Sequence, residues 1–336
     1  MNNKPITILA IETSCDDTAA AVLRDGKILS NIIAGQDVHR LYGGVVPELA
    51  SRAHQQNIVP VVDAALKKAG VNKHDLDAMA FTIGPGLMGS LLVGGTFAKA
   101  FALGLNIPLL AVNHLEAHIV AHFIPPLPSP SFPFLCLTVS GGHTQIVMVN
   151  SLTDLKIIGQ TTDDAAGEAF DKAAKVLGLP YPGGPLIDKY AQRGNPHKYK
   201  FTQPLVSGYD YSFSGLKTAF LYFINNQTKL NPDFINQNLN DICASIQHTI
   251  VSVLMFKLKK AAIETGIGEI AIAGGVSANS GLRAALEAES VKSGWRIYIP
   301  EFEYCTDNAA MIAMAGYYKY LDGDFAGQDS SPVARI

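Results

Sequence analysis

Short apolar runs of strand length alternate with turn-forming residues and longer amphipathic segments along the first 112 residues. Apolar runs between turn signals predict β-strands, and apolar positions that recur every three or four residues predict helices. The acidic stretch from Glu12 to Thr18 lies where the first strand-to-strand turn is expected. The predicted elements are strands at 6–11, 19–23 and 28–34, a helix at 47–69, a strand at 76–83, an apolar helix ending at 105 and a strand at 107–112.

The rest of the chain repeats this order, which predicts an internal duplication of an α/β unit. We therefore expect an N-terminal lobe at 1–131 and a C-terminal lobe at 132–336, facing each other across a cleft. The proline-rich stretch 125–130 would join them, and the final helix would pack back toward the first lobe. The repeated elements are predicted strands at 134–139, 145–149 and 155–160, helical segments, a strand at 269–273, a helix at 278–290, a strand at 296–299 and a helix at 307–320.

The composition is that of a folded two-domain protein. The chain has 336 residues, of which 48% are hydrophobic and 16% charged, so it can bury a large core. A net charge of −3 argues against a stand-alone nucleic-acid binder. The four cysteines form no C-x-x-C pair and no signal peptide is recognised, so we expect a cytoplasmic protein without membrane contact. Lys99 and several glycines interrupt the apolar segment 87–105, which favours a core helix over a membrane span.

Two histidines, His114 and His118, lie four residues apart in a segment with helical character. On a helix they project from one face about one turn apart, so both could bind a single metal ion. Zinc proteases share this spacing, but Glu116 is two positions after His114, where a helix turns it away from a metal-bound water. The alternative is an ordinary helix with two partly buried histidines. His122, on the same face, leaves the choice of ligands open at this point.

Ligands of open α/β sheets bind beyond the carboxyl ends of the strands. The segments predicted there are 12–18, 140–143, 274–275 and the histidine helix. Turns built from small residues offer backbone N–H groups that suit phosphate or carboxylate oxygens. One Gly-Gly turn is more often only a turn, but such segments recur at equivalent places in both halves, which favours a ligand site.

Six segments together resemble the signatures of the TsaD family, the bacterial tRNA threonylcarbamoyladenosine synthases formerly named O-sialoglycoprotein endopeptidases. They occur in the order found in the family and extend from near residue 6 to about residue 320. The segments are AIETSCDDT at 10–18, NHLEAH at 113–118, VSGGHTQ at 139–145, AGEAFDK at 166–172, PGGPLID at 182–188 and GGVSAN at 274–279.

The resemblance implies a duplicated, two-lobed actin/Hsp70-like fold. It also implies transfer of a threonylcarbamoyl group from threonylcarbamoyl-AMP to N6 of adenosine 37, in tRNAs that read codons beginning with adenine. A separate synthase would supply the donor. The chain would be the catalytic subunit of a complex with a TsaB-like paralogue on its N-terminal lobe and a TsaE-like P-loop ATPase.

By position, the resemblance makes His114, His118 and Asp307 the ligands of one divalent metal, with iron expected and zinc as the alternative. His122 has no counterpart in the family motif and is left out. The adenylate donor, or ATP or ADP in its place, would be held by residues of the second lobe. These residues are Thr138, Val139, Ser140, Gly141, Gly142, Asp171, Gly184, Asp188 and Asn279.

Residue chemistry agrees with such a transfer, because an adenine amine is a poor nucleophile and a metal can make the carbamoyl carbon more electrophilic. Glu12 is the candidate catalytic residue, as a base or a polar positioning group; a turn-capping carboxylate is the alternative.

The basic and aromatic residues of 189–200 are a candidate RNA contact, although a solvated loop would look the same. Asp16 and Asp17 should keep Cys15 inert. Two other function classes stay open, a metalloprotease and an Hsp70-like or sugar-kinase-like ATPase.

Overall fold

The computed structural model describes residues 4–126, 128–202 and 206–335, so Leu127 of the expected linker lies outside the described residues. The strands are β1 (Thr7–Glu12), β2 (Thr18–Arg24), β3 (Lys27–Ala34), β4 (Ala78–Gly84), β5 (Leu109–Asn113), β6 (Phe134–Val139), β7 (Thr144–Ser151), β8 (Asp154–Gln160), β9 (Glu269–Ala273) and β10 (Arg296–Tyr298). The α-helices are α1 (Pro47–Ala69), α2 (Met88–Leu105), α3 (His114–Val120), α4 (Ala166–Val176), α5 (Gly184–Ala191), α6 (Ser214–Leu230), α7 (Phe234–Thr265), α8 (Ser280–Ser293), α9 (Phe302–Cys305) and α10 (Ala309–Asp322).

Helix α1 has the bounds that its pattern predicts, and local chemistry explains both ends. Pro47 occupies the first turn, where a missing N–H costs nothing. Gly70 ends the helix in the left-handed conformation at φ 64°, and its N–H bonds to the carbonyl oxygens of Leu66 and Lys67. The face with Ile58 and Val62 is buried against β2 and β3.

The two sheets have the same topology. In the first sheet the strand order is β3-β2-β1-β4-β5, and in the second it is β8-β7-β6-β9-β10. In each sheet the first three strands in sequence pair antiparallel with one another, and the next two strands pair in parallel, beginning beside the first strand. This repetition confirms the predicted duplication and the α/β fold class.

The chain divides into two compact units. The first comprises the residues up to Ser129 together with those from Glu301 onward, and the second is Pro130–Pro300. The expected second lobe was 132–336, with its final helix packing back toward the first lobe; α10 packs on β1, β2 and α3 of the first unit. The segment after α10 stays with the same unit: Ala326 N–H donates to Leu109 O at 2.8 Å and Val333 N–H to Ile83 O at 2.8 Å.

Helices α2 and α7 are long and apolar enough to cross a membrane by length and composition alone. Core helices of globular domains pass the same test. Helix α7 has 67% of its most apolar window buried, and it packs against α5, α6 and α8. Helix α2 packs against β4 and α1 through a face with Leu91, Ala98 and Ala102. Only 33% of the apolar window of α2 is buried, so the core role predicted for 87–105 applies to this face of the helix.

Candidate active site

The histidine pair lies at the start of α3, directly after β5. The side chain of Asn113 accepts hydrogen bonds from the backbone N–H groups of Leu115 and Glu116, which fixes the first turn of the helix. His114 is the first helical residue and His118 lies one turn later. Both are buried, with 7% and 2% of their surface exposed. Their rings meet edge to face with centroids 4.8 Å apart, so the two side chains point to the same place.

Asp307 comes from the C-terminal segment of the first unit, which begins at Glu301, and lies beside the two histidines. It lies in the short connection between α9 and α10, just before Asn308, whose side chain caps α10 by accepting from Met311 N–H. Its Oδ1 is 3.4 Å from Nε2 of His114 and 3.3 Å from Nε2 of His118. One ligand atom from each of the three residues lies within 4.8 Å of the others.

This donor set fits a divalent transition metal. Two imidazole nitrogens and one carboxylate oxygen suit zinc or iron and leave coordination positions for a substrate. His122 is buried in the next helical turn. The three-ligand group found in the described part of the chain does not include it. The structure therefore brings together the three side chains expected from the resemblance.

Burial and nearby opposite charges act against each other on the pKa values of these residues. Burial opposes charge on His114, but the carboxylates of Asp307 and Glu12 outweigh it and raise the pKa of His114 well above its ordinary value. Burial lowers the pKa of His118. Burial alone would raise the pKa of Asp307, yet the two histidines hold it far below its usual range. The pocket thus favours a positive charge between these groups, and a metal ion would compete with the proton for that position.

Glu12, the last residue of β1, is fully buried beside His114. Its Oε1 accepts from the N–H of Ser14 and its Oε2 from the hydroxyl of Thr82. Oε2 also lies 3.2 Å from Nδ1 of His114. Burial opposes ionisation of Glu12, but the charge and hydrogen bond of His114 lower its pKa below the ordinary value. Glu12 is thus a fully buried carboxylate, and its hydrogen bond from Ser14 N–H is the turn-capping contact given as the alternative to a base or a positioning group.

The turn after Glu12 is held by side chains that the sequence analysis did not single out. His54 on α1 bonds through Nε2 to Cys15 O at 3.0 Å and through Nδ1 to the hydroxyl of Thr18 at 2.8 Å. Ser90 on α2 donates to the same Cys15 carbonyl at 3.1 Å. Burial, and then the charges of Asp307 and Asp16, raise the pKa of the Cys15 thiol far above its ordinary value, in agreement with an inert cysteine. No spacing rule would have identified His54 or Ser90.

In the second unit, the residues expected to bind the donor include the turn between β6 and β7. Thr138 and Val139 are buried at the end of β6, while Gly141 and Gly142 are exposed at the tip. Ser140 N–H donates to His143 O at 2.8 Å, which closes the turn. Gly167 N–H, in the first turn of α4, donates to Ser140 O at 3.2 Å. The turn is therefore anchored to the start of α4.

The glycine pair after β9 lies beside this turn. Gly274 has φ +84°, and a Cβ there would come within 2.5 Å of Val139 O, so only glycine fits. A 3₁₀ turn at Gly275–Ala278 then leads to Asn279, which caps α8 by accepting from Leu282 N–H at 2.9 Å. The amide of Asn279 donates to Gln247 Oε1 at 2.8 Å. The backbone geometry of this pair agrees with its position beyond the end of a strand.

The remaining expected donor residues link α4, α5 and α8. Asp171 on α4 accepts from the N–H groups of Gly183 and Gly184 at 2.9 and 3.1 Å, and burial raises its pKa. Asp188 on α5 accepts from both the N–H and the hydroxyl of Ser280. The expected set thus forms one connected region at the ends of β6 and β9, and each of its acidic side chains already holds a neighbouring backbone.

The expected RNA-contact cluster contains one lysine that is engaged within the chain. Lys198 Nζ lies 2.6 Å from Asp241 Oδ2 and 2.9 Å from Asn238 Oδ1. The rings of His197 and His248 meet edge to face 4.7 Å apart on the same side of α7. Lys200 is exposed.

A family model described as "TsaD: tRNA N6-adenosine threonylcarbamoyltransferase" matches residues 27–314. A protein of that name from Cytophaga hutchinsonii is 61% identical over 331 residues, which cover 98% of this chain and 96% of that protein. Another from Christiangramia forsetii is 64% identical over 328 residues, which cover 97% of this chain and 96% of the relative.

Solved structures with the same fold are more distant in sequence. HypF from T. kodakarensis superimposes with a TM-score of 0.64 at 15% identity, over 95% of this chain and 49% of HypF. Component A of the Acidaminococcus fermentans (R)-2-hydroxyglutaryl-CoA dehydratase has a TM-score of 0.56 at 17% identity, over 94% of this chain and 99% of that one. These two likenesses concern the fold alone. The family match and the relatives at 61% and 64% identity show that this chain belongs to the TsaD family of tRNA N6-adenosine threonylcarbamoyltransferases.

Proposed function

We propose that this chain transfers a threonylcarbamoyl group from threonylcarbamoyl-AMP to N6 of adenosine 37 in tRNAs that read codons beginning with adenine. The observation that carries the proposal is the close group of His114, His118 and Asp307, with both histidines buried, in a chain of this family. A phosphate-binding ATPase of the same fold would not need such a group. AMP is a good leaving group, so the transfer needs no covalent enzyme intermediate.

His114, His118 and Asp307 would hold one divalent metal, with iron expected and zinc as the alternative. A bound metal supplies Lewis-acid polarisation of the carbamoyl oxygen and orients the donor. The three side chains give the ion a fixed position, since α3 and the start of α10 are both capped. A protease-like use of this group is not supported, because Glu116 is outside the three-residue cluster.

The donor would bind at the connected region of the second unit. Exposed Gly141 and Gly142 leave room for phosphate or for a developing oxyanion at the tip of the β6–β7 turn. The other residues proposed to hold the adenylate, or ATP or ADP in its place, are Thr138, Val139, Ser140, Asp171, Gly184, Asp188 and Asn279. Thr138 is fully buried, so its contribution would come from the strand end rather than from an open hydroxyl.

We further propose that the chain acts in the cytoplasm as one subunit of a complex. A net charge of −3 supplies few phosphate contacts, whereas a whole tRNA needs several. A TsaB-like paralogue and a TsaE-like P-loop ATPase would supply RNA-binding surface and activation, and a separate synthase would supply the donor. Val59 on α1 and Leu92 and Leu103 on α2 are exposed apolar side chains of the first unit, the unit on which the paralogue would bind.

The test is reconstitution with mass spectrometry of tRNA nucleosides and measurement of bound metal. We expect clear modification with both partners, and weak or undetectable modification by the chain alone. His114→Ala and His118→Ala should lose metal and activity but stay folded, whereas His122→Gln should keep both. Full multi-turnover activity of the isolated chain would refute the partner requirement. Loss of metal in His122→Gln but not in His114→Ala would refute the ligand set.

A further inference from the structure

Glu12 has no exposed surface, which is unusual for a carboxylate. Burying an ionised carboxylate is unfavourable unless hydrogen bonds and a nearby positive group compensate. Glu12 has such partners on both oxygens: the N–H of Ser14 on Oε1, and the hydroxyl of Thr82 on Oε2. Its third neighbour is the ring of His114. The carboxylate is therefore fully engaged with the protein and has little freedom to rotate.

The orientation of Glu12 follows from the first sheet. Strands β1 and β4 are parallel neighbours, with Ile11 paired to Phe81. Glu12 and Thr82 are the next residues along these two strands, so their side chains meet just beyond the register pair. The Ser14 N–H comes from the turn that immediately follows β1. Two strands and one turn thus aim Oε2 at a single point.

That point is the Nδ1 atom of His114. The distance from Nδ1 to Glu12 Oε2 is 3.2 Å, and Ser14 Oγ lies 3.3 Å from the same nitrogen. The opposite ring nitrogen, Nε2, faces Asp307 Oδ1 at 3.4 Å. A histidine that binds a metal through one nitrogen commonly donates its other N–H to a carboxylate, which fixes the ring and its tautomer.

We propose that Glu12 is a positioning residue that holds His114 with Nδ1–H toward the protein and Nε2 toward the metal position. It accepts a hydrogen bond from the ligand and does not exchange a proton with the substrate. The inference rests on the proposed function only in taking His114 as a metal ligand. It assigns to Thr82 a supporting role, since the Thr82 hydroxyl holds the oxygen that contacts His114.

Titration of purified, metal-stripped protein with Co²⁺ tests this assignment. Loss of an outer carboxylate partner commonly weakens metal affinity by about 10–100-fold. We expect a loss near the upper end for Glu12→Ala and also a loss for Glu12→Gln, because the glutamine keeps one acceptor oxygen and its NH2 must face a donor, either the Ser14 N–H or the Thr82 hydroxyl and Nδ1–H. Thr82→Val should weaken affinity by a few fold. In Glu12→Gln and Thr82→Val the visible Co²⁺ spectrum should keep the natural band positions, because the three ligands stay the same.

Glu269→Gln is the matched control, because Glu269 is another buried carboxylate, bonded to Ser131 N–H and the Tyr298 hydroxyl in the second unit. It should leave Co²⁺ affinity unchanged. If Glu12→Ala unfolds the protein, the Co²⁺ affinity of Thr82→Val still tests the role of Glu12, because this variant keeps both Glu12 and His114. Natural Co²⁺ affinity in both Glu12→Ala and Thr82→Val, with loss in His114→Ala, would overturn the role of Glu12 alone. Natural Co²⁺ affinity in His114→Ala would overturn the metal site itself.

Discussion

Ser280 donates two hydrogen bonds to Asp188, one from its hydroxyl at 2.6 Å and one from its backbone N–H at 3.1 Å. Asp188 therefore ties α5 to the first residue of α8, in addition to its proposed contact with the donor. Asp188→Ala should weaken donor binding by about 1–3 kcal/mol, the scale for loss of a hydrogen-bond partner. Isothermal calorimetry with a stable threonylcarbamoyl-adenylate analogue would measure this change.

Ser280→Ala separates a direct contact from an indirect one. It removes the hydroxyl bond to Asp188 and keeps the backbone bond. If Asp188 contacts the donor itself, Ser280→Ala should retain affinity close to that of the natural chain. Unchanged affinity in Asp188→Ala would refute the role given to Asp188.

Lys198 and Lys200 should differ in their effect on tRNA binding. Lys200→Glu should weaken tRNA binding by the assembled complex and reduce the slope of log affinity against log salt by about 1. Lys198→Glu should add to this loss but also place a glutamate beside Asp241, its present ion-pair partner. Filter binding across a salt series would measure both variants, with Lys292→Glu on α8 as a control of equal charge change. Donor affinity should stay the same in all three variants, and unchanged tRNA binding when Lys198→Glu and Lys200→Glu are combined would exclude this cluster.

Gly274→Ala should destabilise the second unit, whereas Gly275→Ala should not. Gly274 has φ +84° and its added Cβ would lie 2.5 Å from Val139 O. Gly275 has open space within 4 Å and no left-handed φ. We expect Gly274→Ala to lower the free energy of unfolding by about 1–3 kcal/mol or more and Gly275→Ala to change it by less than about 0.5 kcal/mol. Urea unfolding followed by circular dichroism would test the pair, and equal stability of the two variants would contradict this account.

Asp17 should make the metal-free protein less stable as pH rises from about 4 to 7. Burial, with the charges of Asp307 and Asp16, raises the pKa of Asp17 to about 7 from an ordinary 3.8. The folded chain therefore binds more protons than the unfolded chain in this window, so the free energy of unfolding falls as pH increases. Asp17→Asn should remove this dependence and raise stability at pH 8, by at most about 4 kcal/mol. Parallel stability curves of the two proteins in EDTA would contradict the prediction.

Local sequence signals predicted the ends of helices and strands well where residues near each end determine it. Pro47 and Gly70 mark the ends of α1, and the predicted bounds of β6 and β9 agree with the structure. The duplicated topology followed from the repeated order of apolar runs. The packing of the final helix toward the first lobe was expected, but the residue at which the chain returns, Glu301, follows from which sheet offers an apolar face to α10 and from no local pattern.

In the candidate site, too, the sequence indicated residues that are close together along the chain and missed those brought together by the fold. Helical spacing indicated His114 and His118, but Asp307 came only from the resemblance, since 189 positions separate it from His118. Thr82, His54 and Ser280 escaped notice because sheet register and helix packing, not spacing, bring them to Glu12, Cys15 and Asp188. The burial of Glu12 could not be read from its position after a strand, because its neighbours come from distant segments.

The long separation between His118 and Asp307 has a consequence for biosynthesis. At roughly 5–20 residues per second, the ribosome needs roughly 10–40 s to add the intervening 189 residues. The second unit, Pro130–Pro300, is continuous and is made entirely within that interval, while the first sheet still lacks α10. An ion that meets the nascent chain early finds two imidazoles and no carboxylate. The proposed three-ligand site is therefore complete only after the second unit has been synthesised, and translation that stops short of Asp307 leaves a finished second unit attached to an unfinished first one.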